Sequence, residues 1–185
     1  MDGTVSKRSL VVVLPEDKRH QQFVRRFLYR MGFSKHEIVM EAISGGRGSG
    51  EQWVRRSYPT QVRAYRRRSA RAQTALMVVI DADTHGVERR LRQLRDALAH
   101  EGLAERSEDE AIVHLIPKRN IETWILCLSG RAVDEDTDYR REPGVDELIA
   151  NAAVAFFDSS RVNAAVPAYF VESLRSAIPE VRRLD

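Results

Sequence analysis

The stretch that most restricts how this chain can fold is a short apolar run that ends in two aspartates. Residues 76–80 are rich in β-branched side chains and show no polar alternation, which is typical of a strand buried on both faces of a parallel sheet. Asp81 and Asp83 follow at once, and a charged helical pattern begins at Val87. Because the carboxyl ends of such strands form the ligand crevice of open α/β sheets, the two carboxylates are predicted to face a ligand.

The rest of the chain alternates between strand-like and helix-like segments. The predicted strands are 9–14, 38–43, 76–80 and 111–116. The predicted helices are 20–31, 51–58, 60–71, 87–98 and 118–128, and Pro59 separates the second from the third. This alternation favours an α/β fold, with a Rossmann-like central parallel sheet of about four strands flanked by helices.

The composition changes after Gly130. Residues 145–157 and 167–177 are predicted helices, and Pro179 precedes a basic tail that is predicted to fray. The 185 residues fit one domain. We expect an α/β domain over residues 1–130 and, packed on it, a helical C-terminal extension over residues 131–185.

Cysteine content and the lengths of the apolar runs indicate the compartment. Cys127 is the only cysteine, so no internal disulfide can form, and a reduced, cytoplasmic protein is expected. No stretch approaches the roughly 18 apolar residues of a membrane span, so no membrane association is expected.

Acidic residues follow three of the predicted strands. Glu16 and Asp17 come after the first, Asp81 and Asp83 after the third, and Glu122 after the fourth. Parallel strands with right-handed crossovers bring these ends to one edge of the sheet. Alternation in an extended segment would point Asp81 and Asp83 to the same side, where they repel each other unless a cation lies between them. Carboxylate oxygens suit Mg²⁺ or Mn²⁺, so a metal site is predicted.

Other roles are open for some of these residues. Aspartate is a common helix N-cap, so Asp83 or Thr84 could cap the helix that follows. His85 could be a ligand or a proton carrier, and we interpret it as a turn residue beside Gly86. The remaining histidines show no metal spacing, and we interpret His114 as part of the core.

Basic residues lie near the same edge. Lys118 and Arg119 follow the fourth strand and could stabilise the charge of a phosphorane, or could serve only phosphate attraction or solubility. Between residues 47 and 71 there are eight arginines and one acid, which indicates an anionic partner. A nucleic-acid backbone is predicted to lie on the arginines of this segment, Arg55, Arg56, Arg63, Arg66, Arg67 and Arg68. The alternative is a solvated helix face.

A glycine-rich segment at 44–50 precedes these arginines. It lacks the Gly-Lys-Ser/Thr ending of a Walker A loop, although its N–H groups could still meet a phosphate. The loop of residues 45–50 is therefore the basis of a weaker hypothesis, a nucleotide-binding protein, with a mobile surface loop as the alternative.

Two segments, Leu10-Val-Val-Val-Leu-Pro-Glu16 and Val78-Val-Ile-Asp-Ala-Asp83, resemble the Toprim domain. That family has a glutamate after its first strand and an Asp-x-Asp pair after its third, and it occurs in topoisomerases, primases and nucleases of the overcoming-lysogenisation-defect class. Ile121-Glu-Thr-Trp124 is similar to a segment of small Toprim-like proteins encoded beside ATPases in bacterial defence loci. The resemblance covers about residues 9–128, and it departs where Asp17 replaces the usual glycine.

The resemblance implies a Toprim-like fold and a metal-dependent nuclease, a hydrolase that acts in antiviral defence. It implies that Glu16 is a general acid/base or metal ligand, that Asp81 and Asp83 bind Mg²⁺, and that Glu122 completes a second metal position. The expected partners are nucleic acid and an ATPase. The rival hypothesis is a non-catalytic Toprim-like subunit that binds the ATPase or nucleic acid. Its aromatic segments at 154–157 and 168–171 would dock the ATPase or another copy.

Overall fold

The computed structural model describes residues 8–43 and 49–185, and a four-stranded parallel sheet lies at its centre. The strands are β1 (Leu10–Pro15), β2 (Ile38–Met40), β3 (Thr74–Val79) and β4 (Ile112–Leu115), in the order β2-β1-β3-β4. The six main helices are α1 (Lys18–Arg30), α2 (Gly50–Ser69), α3 (Val87–His100), α4 (Ile121–Leu128), α5 (Val145–Ser160) and α6 (Glu172–Val181). The predicted α/β fold, with a parallel sheet flanked by helices and helices at the C-terminal end, is confirmed.

Helices cover both faces of the sheet. α1 packs with α5, which also contacts α4, whereas α2 packs with α3 and against β3. Every residue of β3 is buried, which explains its unbroken apolar sequence. Within the described ranges, no helix combines the length and the apolar character needed to cross a bilayer.

The strand β2 is shorter than predicted, because it ends at Met40 and residues 41–43 are not extended sheet. It lies at an edge of the sheet, where Val39 is 42% exposed. Its apolar sequence was therefore a poor guide to its length, since an edge strand pairs on one side alone.

Two prolines lie inside helices, and both contradict the predicted boundaries. Pro59 is buried within the continuous α2, so the division into 51–58 and 60–71 is wrong. Pro179 lies in α6, which spans Glu172–Val181 and not the predicted 167–177. A proline inside a helix removes one backbone donor. Buried apolar neighbours on each helix, such as Val62 in α2 and Ile178 in α6, hold both helices in place.

The C-terminal end is packed and not frayed as predicted. A 3₁₀ helix, Arg182–Leu184, follows α6, and Leu184 is 2% exposed. Phe156 of α5 lies 5.6 and 5.0 Å from the rings of Phe23 and Phe27, and Phe170 is also buried. These aromatic rings belong to the core, so they do not form the docking surface expected at 154–157 and 168–171, where Tyr169 is the exposed ring.

The free edge of β4 is covered by an ion pair. Arg106 contacts both carboxylate oxygens of Glu180 at 2.6 and 2.9 Å. Glu180 also accepts the N–H of His114 at 2.9 Å, and Arg106 donates to the carbonyl of Ile112 at 2.6 Å. The pair therefore supplies the two hydrogen bonds that a fifth strand would make, which protects the edge from pairing with another chain.

Replacing Glu180 with alanine should lower the free energy of unfolding by about 2–3 kcal/mol. The substitution leaves Arg106 without its carboxylate and the His114 N–H without an acceptor. Urea denaturation measures the change, with Glu108→Ala as control, because Glu108 is exposed and its side chain enters no ion pair within the described residues. Equal losses in the two variants would contradict the edge-capping role.

Candidate metal centre

The candidate centre lies at the carboxyl ends of the adjacent strands β1 and β3. The chain leaves β1 toward β2 and leaves β3 toward β4 on the opposite side, so this is the topological switch point of the sheet. Glu16 directly follows β1, and Asp81 lies two residues beyond β3. The N–H of Asp81 donates to Oε2 of Glu16 at 2.8 Å. The structure thus brings these two predicted site residues together.

A histidine that sequence reasoning missed completes the cluster. His20 is fully buried in the first turn of α1, which begins at Lys18 and so two residues earlier than predicted. Its Nε2 lies 2.9 Å from Oδ1 of Asp81. One donor atom each from Glu16, His20 and Asp81 lie within 4.8 Å of one another, so the three residues can hold a metal ion.

Asp17 fixes the orientation of the imidazole. It is the N-cap of α1, and its Oδ1 accepts the backbone N–H of His20 at 3.0 Å. The same oxygen lies 2.8 Å from Nδ1 of the ring. The available sequence signal was therefore Glu16-Asp17-x-x-His20, in which an N-cap aspartate precedes a histidine by one helical turn. The interpretation that His20 lacks metal spacing is wrong.

Burial and charge shift the pKa values of these groups. Burial raises the pKa of Glu16 to about 7, the charge of Asp81 acts in the same direction, and His20 opposes both. Burial also raises the pKa of Asp81, against the charge and hydrogen bond of His20. For His20, burial favours the neutral ring, but Asp81 and Asp17 outweigh it and hold its pKa well above the usual value. This shift favours the protonated ring, whose positive charge offsets the buried acids.

Asp83 lies beside Asp81 but not in the three-residue cluster. Its φ of 52° is left-handed, so the alternation that predicted a shared side does not apply. Oδ1 of Asp83 accepts from Nη2 of Arg140, and the same nitrogen lies 4.0 Å from Oδ2 of Asp81. The two aspartates share an arginine as counterion. Neither Asp83 nor Thr84 is the N-cap of α3, because Gly86 occupies that position.

A second arginine, Arg90, is buried beside these acids. It is 1% exposed, and its Nε donates to the backbone carbonyl of Asp81 at 2.8 Å. Its Nη1 contacts Glu51 at 2.5 Å, and its Nη2 lies 3.7 Å from Asp83. Arg90 therefore ties the segment after β3 to the start of α2.

Glu122 is buried in the first turn of α4 and is held by an ion pair. Nη1 of Arg19 contacts it at 2.5 Å, while Nε of Arg19 contacts Asp146 at 2.8 Å. This carboxylate is therefore outside the group that can hold a metal ion in the described part of the chain.

The basic residues Lys118 and Arg119 precede α4, because Asn120 is its N-cap; the predicted start of that helix at 118 is wrong. Together with His85 they line a cleft of about 320 Å³ beside Asp83. Lys118 lies 3.0 Å from Asp136, and Arg119 lies 3.6 Å from Asp138. Both cations contact acids of the connection between α4 and α5.

The arginines predicted to bind nucleic acid divide into two groups. Arg55, Arg63 and Arg66 lie within 4 Å of acids, at 2.8 Å from Glu51, 3.7 Å from Glu101 and 2.6 Å from Glu110 respectively. Among the residues that the structure describes, Arg56, Arg67 and Arg68 enter no ion pair. Within the described part of the chain, three of the six predicted arginines are therefore available to meet an anion.

The first residue of α2 lies against the centre. A Cβ added to Gly50 would lie 2.5 Å from the backbone oxygen of Glu16, so glycine is the residue that fits there. Residues 44–48 of the glycine-rich segment lie outside the described residues, and with them most of the predicted 45–50 loop.

Comparisons of this chain with protein-family models, with curated proteins and with solved structures found no match. Its function is therefore inferred from the geometry of the centre.

Replacing Glu16 with glutamine should stabilise the metal-free protein at pH 8 and not at pH 4.5. The raised pKa means that the folded state keeps a proton on Glu16 between pH 4.5 and about 7, so the stability contributed by this group is lost as the pH rises through that window. Glutamine can still accept the N–H of Asp81. Urea denaturation at the two pH values tests this, with an expected gain of about 1–3 kcal/mol at pH 8. A gain of equal size at pH 4.5 would show that the effect is not a titration.

Proposed function

We propose that this protein is a metal-dependent nuclease that hydrolyses phosphodiester bonds of DNA or RNA. The observation that carries the proposal is the meeting of Glu16, His20 and Asp81 at the switch point between β1 and β3. Open α/β sheets bind their ligands at that place. Buried acids with raised pKa values are also frequent at catalytic sites.

The chemistry of the donor atoms favours Mn²⁺, with Mg²⁺ as the alternative. Two carboxylates suit either ion, and an imidazole nitrogen suits a transition metal better than Mg²⁺. The contact between Asp17 and Nδ1 of His20 would leave Nε2 free to bind a metal once its proton is released. Metal binding should therefore release protons and weaken below pH 7, where Glu16 is protonated.

The residues of the centre suit hydrolysis. A divalent ion bound there would polarise the phosphodiester and lower the pKa of a water molecule. Water would lose a proton and add to the phosphorus atom, the bond to one ester oxygen would break, and that oxygen would take up a proton and leave as an alcohol. Glu16 is the carboxylate that we propose takes the proton from the attacking water. Lys118, in the adjoining cleft, is the cation that we propose stabilises the phosphorane, after it leaves Asp136.

Helix α2 supports a nucleic-acid substrate. It begins at Gly50, against Glu16, and its 20 residues extend about 30 Å from the centre. The arginines Arg56, Arg67 and Arg68 on this helix enter no ion pair within the described residues, so they can contact phosphates. The expected antiviral role and the partner ATPase depend on the Toprim resemblance alone and stay part of the proposal.

A second candidate function is a non-catalytic subunit with the same fold. The observation that favours it is the neutralisation of Asp81 and Asp83 by arginines, since Arg140 contacts both carboxylates and Arg90 lies 3.7 Å from Asp83. If these arginines are never displaced, Asp81 and Asp83 stabilise the fold at this edge of the sheet and bind no metal.

Asp81→Asn should reduce Mn²⁺-dependent cleavage at least about 100-fold, because it removes an anionic ligand from the metal. The assay incubates purified protein with plasmid DNA and with single-stranded RNA, with and without Mn²⁺, and follows the products on gels. Asp158→Asn is the matched control, since Asp158 is exposed and enters no ion pair within the described residues. Circular dichroism confirms that both variants fold. Cleavage by Asp81→Asn at the wild-type rate would exclude the assigned site.

A further inference from the structure

Arg140 lies on the solvent side of the centre, in the connection between α4 and α5. Its Nη2 donates to Oδ1 of Asp83 and lies 4.0 Å from Oδ2 of Asp81. The side chain of Asp81 is 3% exposed, whereas that of Arg140 is 48% exposed. The guanidinium is therefore the solvent-exposed member of this ion pair.

The backbone around Arg140 is held independently of this contact. Its carbonyl accepts from Nη1 of Arg19 at 2.9 Å, and its N–H donates to Oδ1 of Asp138 at 3.0 Å. Asp138 is fixed in turn by Nδ2 of Asn120 at 2.8 Å. The main chain can thus stay in place while the long, half-exposed side chain moves into water.

Arg90, unlike Arg140, is held in place by its surroundings. It is 1% exposed and its hydrogen bonds go to Asp81, Glu51 and Gln93, so it cannot leave without disrupting the core. Of the two arginines beside the acids, Arg140 is the one that can be displaced.

We infer that Arg140 is a latch that competes with a divalent cation for Asp81 and Asp83. This inference rests on the proposed function. The closed latch supplies the positive charge that the two carboxylates require when no metal is bound. A divalent ion at Asp81 would be repelled by the guanidinium of Arg140, which lies 4.0 Å from Oδ2 of Asp81, so the metal and the closed latch disfavour each other. Opening of the latch frees Oδ1 of Asp83 to join the ligands.

Arg140→Gln and Arg141→Gln form a matched pair for the test. Each removes one positive charge from the same loop. Arg141 is exposed and enters no ion pair within the described residues, so replacing it changes only the long-range electrostatic potential at the centre. Isothermal titration calorimetry with Mn²⁺ on wild type and both variants measures the difference. Arg140→Gln should bind Mn²⁺ about fivefold more tightly than Arg141→Gln. The Arg141→Gln variant keeps the latch, and an exposed ion pair of ordinary strength holds that latch closed most of the time, which lowers the apparent affinity for Mn²⁺.

Adding Asp81→Asn to Arg140→Gln should abolish the gained affinity, which places the ion at the centre. If the double variant keeps the gain, the ion binds elsewhere and the latch is overturned.

The outcomes separate the latch from the metal site. Equal or weaker Mn²⁺ binding by Arg140→Gln, beside clear binding by wild type, overturns the latch and leaves the site standing. Absence of binding by all three proteins overturns the latch and the metal-dependent function together.

Discussion

The buried contact between His20 and Asp81 is the interaction on which the centre depends. Asp17 and Asp81 lie 2.8 and 2.9 Å from the two ring nitrogens of His20, and they raise the pKa of this ring although it has no exposure to water. The contact joins the start of α1 to the segment after β3, and the N–H of Asp81 joins that segment to Glu16. Removing His20 or Asp81 leaves a buried charge without its partner, which is costly.

The same arrangement links folding to function. Without a metal, the proton on Nε2 and the guanidinium of Arg140 balance the carboxylates. In the proposed active state a divalent ion takes over that role, so metal binding replaces the proton and the guanidinium with one ion. Metal binding therefore depends on pH through His20 and Glu16, and on the position of the Arg140 side chain.

The parallel sheet was predictable because buried strands have unbroken apolar sequences, as in residues 76–80. The helices around Pro59 and Pro179 were not, because packing of buried neighbours overrides a local breaker. The edge strand β2 was predicted to be too long, because the apolar residues beyond Met40 do not belong to the strand.

The meeting of Glu16 and Asp81 could be expected from topology, because both follow adjacent parallel strands. Topology does not tell which way a side chain points after the strand ends. Asp83 adopts a left-handed φ, and Glu122 points to Arg19. The contact of His20 with Asp81 and that of Arg140 with Asp83 join distant segments, which local sequence patterns do not report.

A crystal of the wild-type protein soaked in Mn²⁺, with anomalous diffraction data, is the most direct measurement. The account predicts an anomalous peak within about 2.3 Å of carboxylate oxygens of Glu16 and Asp81, with Arg140 displaced. The absence of a peak at saturating Mn²⁺, with Arg140 still on Asp83, would contradict it.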